Sequence, residues 1–169
     1  ANGALTALAV AQASNAQFIR VNQWANAYVA NEGIIEGPAA KATRYRAWLR
    51  ASHIKIFSDV HVKHGSHAIV ADRTLAELTR DVEFFDADVV IATGQRTGDA
   101  ANLEETRSIK EATQLPLLIG SGVTEENVGD LLQIADGVIV ASSLKEKGVW
   151  WTPVSQKKVR SLMKTVARL

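Results

Sequence analysis

The sequence contains no cysteine. Disulfide stapling and thiol catalysis are therefore excluded, and the absence fits a reducing compartment. Long apolar runs are also missing: nothing approaches the roughly 20 residues that a helix needs to cross a bilayer. The Ala-rich start at residues 4–13 has no basic flank before it. Its Ala/Leu spacing reads as a buried helix rather than a signal-peptide core. Neither sign of charge dominates, with 19 Lys and Arg against 18 Asp and Glu. No basic run or spaced aromatic set forms a stripe, so a dedicated nucleic-acid binder is excluded. Low-complexity tracts, linkers and internal repeats are absent too. The first residue is Ala1 rather than Met, which leads to the expectation of a fragment of something longer or a trimmed chain.

What is present suffices for one globular domain. The chain has 169 residues, of which 47% are hydrophobic and 22% charged, enough for a sizeable core. A cytoplasmic protein is expected, with peripheral attachment to a membrane as a variant.

Apolar periodicity divides the chain into a leading helix and five strand–helix units. Asn2 is placed to cap the first helix, which runs to about Ala13. Strands are predicted at 18–22, 54–63, 88–92, 117–119 and 137–140. Residues 23–37 read as a long connection, and Pro38 opens a helix reaching about Arg50. Thr74 with Glu77 forms a capping box, Asn102 caps a helix to about Thr113, and Ser155 caps a final amphipathic helix. Strand starts about 20–36 residues apart fit βαβ crossovers and a parallel sheet.

An open doubly wound sheet wants central strands apolar on both faces. The first two strands here alternate instead. Ile19 and Val21 oppose Phe18, Arg20 and Asn22; Ile54, Ile56, Val60 and Val62 oppose Lys55, Phe57, Asp59, His61 and Lys63. In a (β/α)8 TIM barrel one face meets the helices and the other looks inward, with polar groups near the C-terminal rim making the site. The fold class is therefore α/β, a TIM barrel. Such a barrel takes about 250 residues, so this chain supplies about the last five βα units of a single domain.

Candidate site residues collect at that rim. Asp59, His61, Lys63, Arg20 and Asn22 form the catalytic set. A carboxylate, an imidazole and an amine in one cavity can do acid–base work near neutral pH. Arg20 can grip an anion bidentately or pair with Asp59 for structure. A second set lies in the turns after the strands: Ser121 and Gly122, Ser142 and Ser143, with Thr93 and Gly94. Small residues after a buried strand let backbone amides approach a phosphate. Thr124 opens a short helix whose N-terminus favours an anion, and Lys145 adds charge at longer range or is solvated. His61, His64, His67 and Asp59 do not follow a zinc spacing. His64 and His67 read as surface loop residues and His53 as helix end or surface; Glu36, in the long first loop, reads as solvated in preference to a lid-borne acid. No metal or cofactor is expected. Trp150 and Trp151 follow the last strand; at least one should pack on the terminal helix, or the pair forms a patch for a protein or membrane partner.

These stretches together resemble the BtpA family, named for a protein associated with photosystem I biogenesis. The matching segments are FIRVN at 18–22, GIIEG at 33–37, DVHVKH at 59–64, Thr93-Gly94 with a later Thr97-Gly98, GSGVT-ENV at 120–128, and ADGVIV followed by SLK at 135–145. The resemblance implies a TIM barrel related to phosphate-binding barrels, with further units at the N-terminus. Where that family often has Gly-Thr after the last strand, this chain has Ala141-Ser142. The leading expectation is an enzyme binding a phosphorylated or anionic metabolite and doing isomerase- or lyase-type chemistry. Asp59 or His61 would be the base and Lys63 the steadying cation. A non-catalytic assembly factor for a membrane complex and a metal-dependent hydrolase using Asp59 and His61 are the alternatives. The partners expected are an anionic small molecule and either further copies of the chain or the remainder of the barrel.

Overall fold

The computed structural model describes residues 2–94 and 102–169; the expected Thr97-Gly98 turn lies outside them. The elements are α1 (Ala4–Ser14), β1 (Phe18–Val21), β2 (Ala27–Ala30), β3 (Gly33–Glu36), α2 (Ala39–Trp48), β4 (Lys55–Asp59), β5 (Gly65–Ser66), α3 (Leu75–Phe84), β6 (Val89–Ala92), α4 (Leu103–Ala112), β7 (Leu117–Ile119), α5 (Val128–Leu132), β8 (Gly137–Val138) and α6 (Gln156–Val166). The fold is α/β. Five strands pair in the order β1-β4-β6-β7-β8, each parallel to the next. This is the order of the chain itself. A doubly wound sheet would reverse direction in the middle.

Burial follows the alternation in β1, where Ile19 and Val21 are buried and Phe18 is exposed. All four residues of the central strand β6 are buried, as a strand covered on both faces requires. Leu8, Ile54, Ile56, Ile109, Leu117 and Ile119 build the core. Trp24 joins them, fully buried, with its indole N–H donated to the Phe85 carbonyl at 3.0 Å.

Helix starts are set by side chains. Thr74 and Glu77 form the reciprocal capping box of α3. Asn102 Oδ1 accepts the amides of Glu104 and Glu105 at the start of α4, and Ser155 accepts the Lys158 amide at α6. Asn2 does not cap α1, whose N-cap is Gly3. Its carboxamide oxygen accepts the Gln23 amide at 3.2 Å instead. Thr124 does not open α5 either. Asn127 is that helix's N-cap, and its side chain ties back to the Thr124 amide and the Gly122 carbonyl.

Two boundaries differ from expectation with consequences for the site. β4 stops at Asp59 rather than Lys63, and the chain turns through His64 at φ 63°. Residues 23–37 are not a bare connection. β2 and β3 pair as an antiparallel hairpin, and β5 adds to β2 as a third strand. The hairpin leaves β1 and meets the segment after β4, so it sits over the C-terminal rim. Its exit depends on Gly37, where a Cβ would lie 2.4 Å from the Trp24 carbonyl oxygen.

The opposite rim is pinned by two carboxylates, each directly before a strand. Asp88 accepts the Ile56 amide at 2.9 Å along with Lys55 and Arg46. Asp136 accepts the Leu117 amide at 2.8 Å along with Lys110. Each ties the start of its own strand to the start of the neighbouring one.

Candidate anion site at the C-terminal rim

Three turns converge where the parallel strands end. They enclose a cavity of about 360 Å3. Arg20, one residue before the end of β1, and Lys63, beyond β4, supply two cations. Gly120, Ser121 and Gly122 come from the turn after β7. Ala141, Ser142 and Ser143 come from the turn after β8. The cavity thus brings together residues read from the sequence, namely Arg20, Lys63, Ser121, Gly122, Ser142 and Ser143, with Thr124 also on its wall.

Arg20 is held in place from behind. Its Nε donates to Asp59 Oδ1 at 2.8 Å and its Nη2 to Asp59 Oδ2 at 2.9 Å. The Asp59 side chain is 1% exposed and that of Arg20 31%. Two-point pairing fixes the guanidinium plane and leaves Nη1 without a hydrogen bond among the described residues. Burial pushes the Asp59 carboxyl above its ordinary range, while the hydrogen bond and charge of Arg20, and then the charge of Lys63, pull it back. The guanidinium also lies close over Gly120, where a Cβ would stand 3.4 Å from Nη2 and 2.9 Å from Ile91 Cγ2. The absence of a side chain at this position lets the turn pack closely against Ile91.

Lys63 Nζ donates to the Ser121 hydroxyl oxygen. An oxygen that accepts from an ammonium turns its own proton elsewhere, so Ser121 can donate to a ligand. The amides of Ser121 and Gly122 have no acceptor among the described residues. The Gly120 amide is used by the sheet, donating to the Ala92 carbonyl at 2.8 Å. Ser143 differs from expectation: its hydroxyl donates to the Val123 carbonyl at 2.6 Å, so it ties the two turns together and has no proton left for a ligand. Ser142 is half-buried at the cavity wall. The short α5 starts only at Val128, and Asn127 Oδ1 accepts the Thr124 amide ahead of it.

The remaining candidates lie elsewhere. Asp59, His61 and Lys63 do not share one strand face, because the period of two ends with β4 at Asp59. Asp59 sits beneath Arg20, off the cavity wall. His61 opens on a different cavity, of about 340 Å3, that also carries His67, Arg73 and Glu105. Its ring centroid is 3.9 Å from that of His67. His67 lies in the loop after β5 but is half-buried rather than solvated: Tyr28 stacks on it at 5.4 Å, and a ring nitrogen lies 2.8 Å from the Val62 carbonyl. Burial, and then the charge of His67, lower the His61 imidazole below its ordinary value. Thr93 is buried and donates to the His61 carbonyl at 3.3 Å. Gly94 is buried beside it, and Asn22 is half-buried at the end of β1; none of these three lines the anion cavity. Lys145 is also off its wall, with its carbonyl accepting Lys158 Nζ at 2.8 Å. Among the described residues no three His, Asp or Glu side chains are placed to hold a metal ion. Trp150 and Trp151 are 65% and 71% exposed rather than buried against the terminal helix, and they meet edge to face.

Sequence reasoning missed Ile139 and Gly148 as cavity walls and Asn127 as the clasp of the first turn. The Asn127 signal was present, since Asn three residues after Thr124 is a local capping pattern. Nothing local marks Gly148, which reaches the cavity through the fold.

The BtpA family profile matches residues 1–168. The Photosystem I biogenesis protein BtpA of Synechocystis is 43% identical over 148 residues, covering 87% of this chain and 51% of that protein. An uncharacterised mitochondrial protein of Caenorhabditis elegans is 39% identical over 163 residues, covering 96% and 58%. An uncharacterised protein of Archaeoglobus fulgidus is also 39% identical, covering 96% and 63%. The chain thus spans between about half and two thirds of the length of these relatives. Among solved structures, phosphoribosyl anthranilate isomerase of Thermus thermophilus superposes with a TM-score of 0.64 at 16% identity, covering 98% of this chain and 68% of that one. Dihydrodipicolinate synthase of Acinetobacter baumannii gives 0.55 at 14%, covering 97% and 54%. These two likenesses concern the fold alone, which is TIM-barrel-like. With the profile match running nearly end to end, the chain belongs to the BtpA family.

Proposed function

We propose that the rim cavity binds the phosphate or other anionic group of a small metabolite, and that the protein is an enzyme of isomerase or lyase type. One observation carries this reading. Two cations, a serine hydroxyl and two backbone amides without acceptors meet at one cavity of about 360 Å3. Arg20 offers its outer nitrogen, Lys63 its charge, Ser121 its hydroxyl proton and the Ser121-Gly122 turn its amides. Asp59 is a positioning residue for Arg20, since both its oxygens are occupied. Lys63 steadies charge that develops during proton transfer. Of the two bases proposed from sequence, Asp59 is committed to Arg20, which leaves His61, on a separate cavity, as the remaining candidate. The metal-dependent hydrolase is disfavoured because Asp59 and His61 do not converge. In the whole protein the five units form the last part of an eight-unit barrel, closed by further units or by further copies.

Calorimetric titration with inorganic phosphate tests the site. Saturable binding is expected, and Arg20→Gln should weaken it about tenfold or more, since a charge-assisted hydrogen bond contributes about 1.5–3 kcal/mol. Asp59→Asn should weaken it less, because Arg20 stays but loses its clamp. Absence of saturable binding, or identical binding by Arg20→Gln, would contradict the reading.

A second reading has one observation in its favour. The Synechocystis relative is named a Photosystem I biogenesis protein, and an assembly factor needs an exposed patch such as Trp150-Trp151. Under that reading Arg20→Gln keeps full assembly activity.

A further inference from the structure

Lys63 brings an amine to the rim as well as a charge. It is the lysine on the wall of the anion cavity, half-buried beyond the end of β4. Its Nζ donates to the hydroxyl oxygen of Ser121, which is buried. Arg20 Nη2 lies against the preceding residue, 3.4 Å from where a Cβ on Gly120 would stand. The two cations therefore flank one turn. Asp59, whose carboxyl feels the charge of both, gives both its oxygens to Arg20.

An anion in this cavity has donors without the amine, from Arg20 Nη1 and the amides of Ser121 and Gly122. Lys63 holds a hydroxyl instead. A lysine set beside another cation in a partly apolar pocket is the arrangement that makes an amine nucleophilic toward a carbonyl. Val123 and Ile139 supply the apolar wall. A hydroxyl bonded to the amine can pass protons between it and a substrate oxygen.

We propose that Lys63 is a covalent catalytic residue that forms a Schiff base with a small anionic ketone or aldehyde, with Ser121 relaying the protons. First, the Lys63 ammonium passes one proton through the Ser121 hydroxyl to the carbonyl oxygen. Nζ bonds to the carbonyl carbon as the C–O π bond breaks. A second proton then leaves the nitrogen by the same route, the C–O bond breaks, and water departs as the nitrogen lone pair closes the C=N bond. Ammonium and carbonyl thus become protonated imine and water, with no further reactant. The imine draws electrons from the neighbouring carbon and weakens its C–H and C–C bonds, which is what isomerase- or lyase-type chemistry needs. The inference rests on the anion reading above and gives its substrate a class. Because Ser121 serves both the amine and the anion, the carbonyl lies close to the anionic group in the substrate.

Borohydride reduction of the full chain mixed with dihydroxyacetone phosphate and, separately, with pyruvate is the test. Reduction turns the imine into a stable secondary amine that peptide mass spectrometry can locate. An adduct is expected on Lys63 with at least one of the two probes, and inorganic phosphate should suppress it. Lys63→Arg keeps the charge, so it should melt at the wild-type temperature and lose the adduct. Ser121→Ala removes the relay and keeps the turn amides. Its adduct should form on the order of 100-fold more slowly, while phosphate binding followed by calorimetry weakens far less. Phosphate bound by the wild type with no adduct on Lys63 from either probe overturns this inference and leaves the anion reading standing. Absence of both phosphate binding and adduct overturns both. Labelling spread over surface lysines and unchanged in Lys63→Arg, or a wild-type rate in Ser121→Ala, also overturns the inference.

Discussion

Arg20 is the residue on which the rim is built. It is one residue from the end of β1, so the sheet fixes its backbone, and Asp59 on the neighbouring β4 fixes its plane. That pairing was legible, because Arg20 and Asp59 lie near the C-terminal ends of two strands of a parallel sheet. The fate of His61 was not. Its place depends on where β4 ends, and a turn through His64 at positive φ leaves no clear mark in a run of Val, His and Lys. His61 carries a pH signature that can be read without substrate. Its imidazole lies below the ordinary value of 6.5 in the folded protein, so the unfolded chain takes up a proton first as pH falls. Stability that is complete above pH 6.5 is therefore lost as pH drops toward the folded value. Between pH 7.5 and 5.5 the melting temperature of the wild type should fall more than that of His61→Gln. Parallel curves would show that His61 is not held in its neutral form.

At the scale of elements, the five parallel strands were readable because their apolar runs are separated by capped helices. Thr74-Glu77, Asn102 and Ser155 cap as their spacing indicates. The β2–β3 hairpin was not readable. Only Asn31 and Glu32 separate its strands, without the Asn-Gly or Asp-Gly pair that marks tight hairpins, and the strands are four residues each. The hairpin matters because Tyr28 on β2 stacks on His67, whose ring in turn meets that of His61. Its return to α2 runs through Gly37, whose amide donates to the Asn26 carbonyl at 2.7 Å. Gly37→Ala would drive a methyl into the backbone of Trp24, an overpacking that costs about 1–3 kcal/mol. Urea denaturation should show that loss; a neutral substitution would mean that the hairpin and Trp24 move apart freely. At the far rim, Asp88 and Asp136 repeat one device, a carboxylate before a strand that accepts the first amides of its neighbour. The repeat is visible as Ala-Asp before β6 and before β8, though its purpose emerges only from the pairing.

For the whole molecule, sheet order and charge distribution lead to separate expectations. β1 and β8 are the edges of the parallel sheet. Beside β1 lies a groove of about 620 Å3 formed by Val10, Ala7, Ala11, Phe18 and Ile19. Exposed strand edges invite pairing, and we expect this chain alone to cover its edge by self-association. Sedimentation equilibrium should return a mass above the 18.2 kDa of one chain; a monomer at every concentration would contradict that expectation. The central claim, however, is that the turns after β7 and β8 hold an anion between Arg20, Lys63 and Ser121. Crystals soaked in phosphate test it most directly. The account predicts tetrahedral density against the Ser121-Gly122 amides, within hydrogen-bond reach of Arg20 Nη1. Phosphate bound at other surfaces but never between these two turns would contradict it.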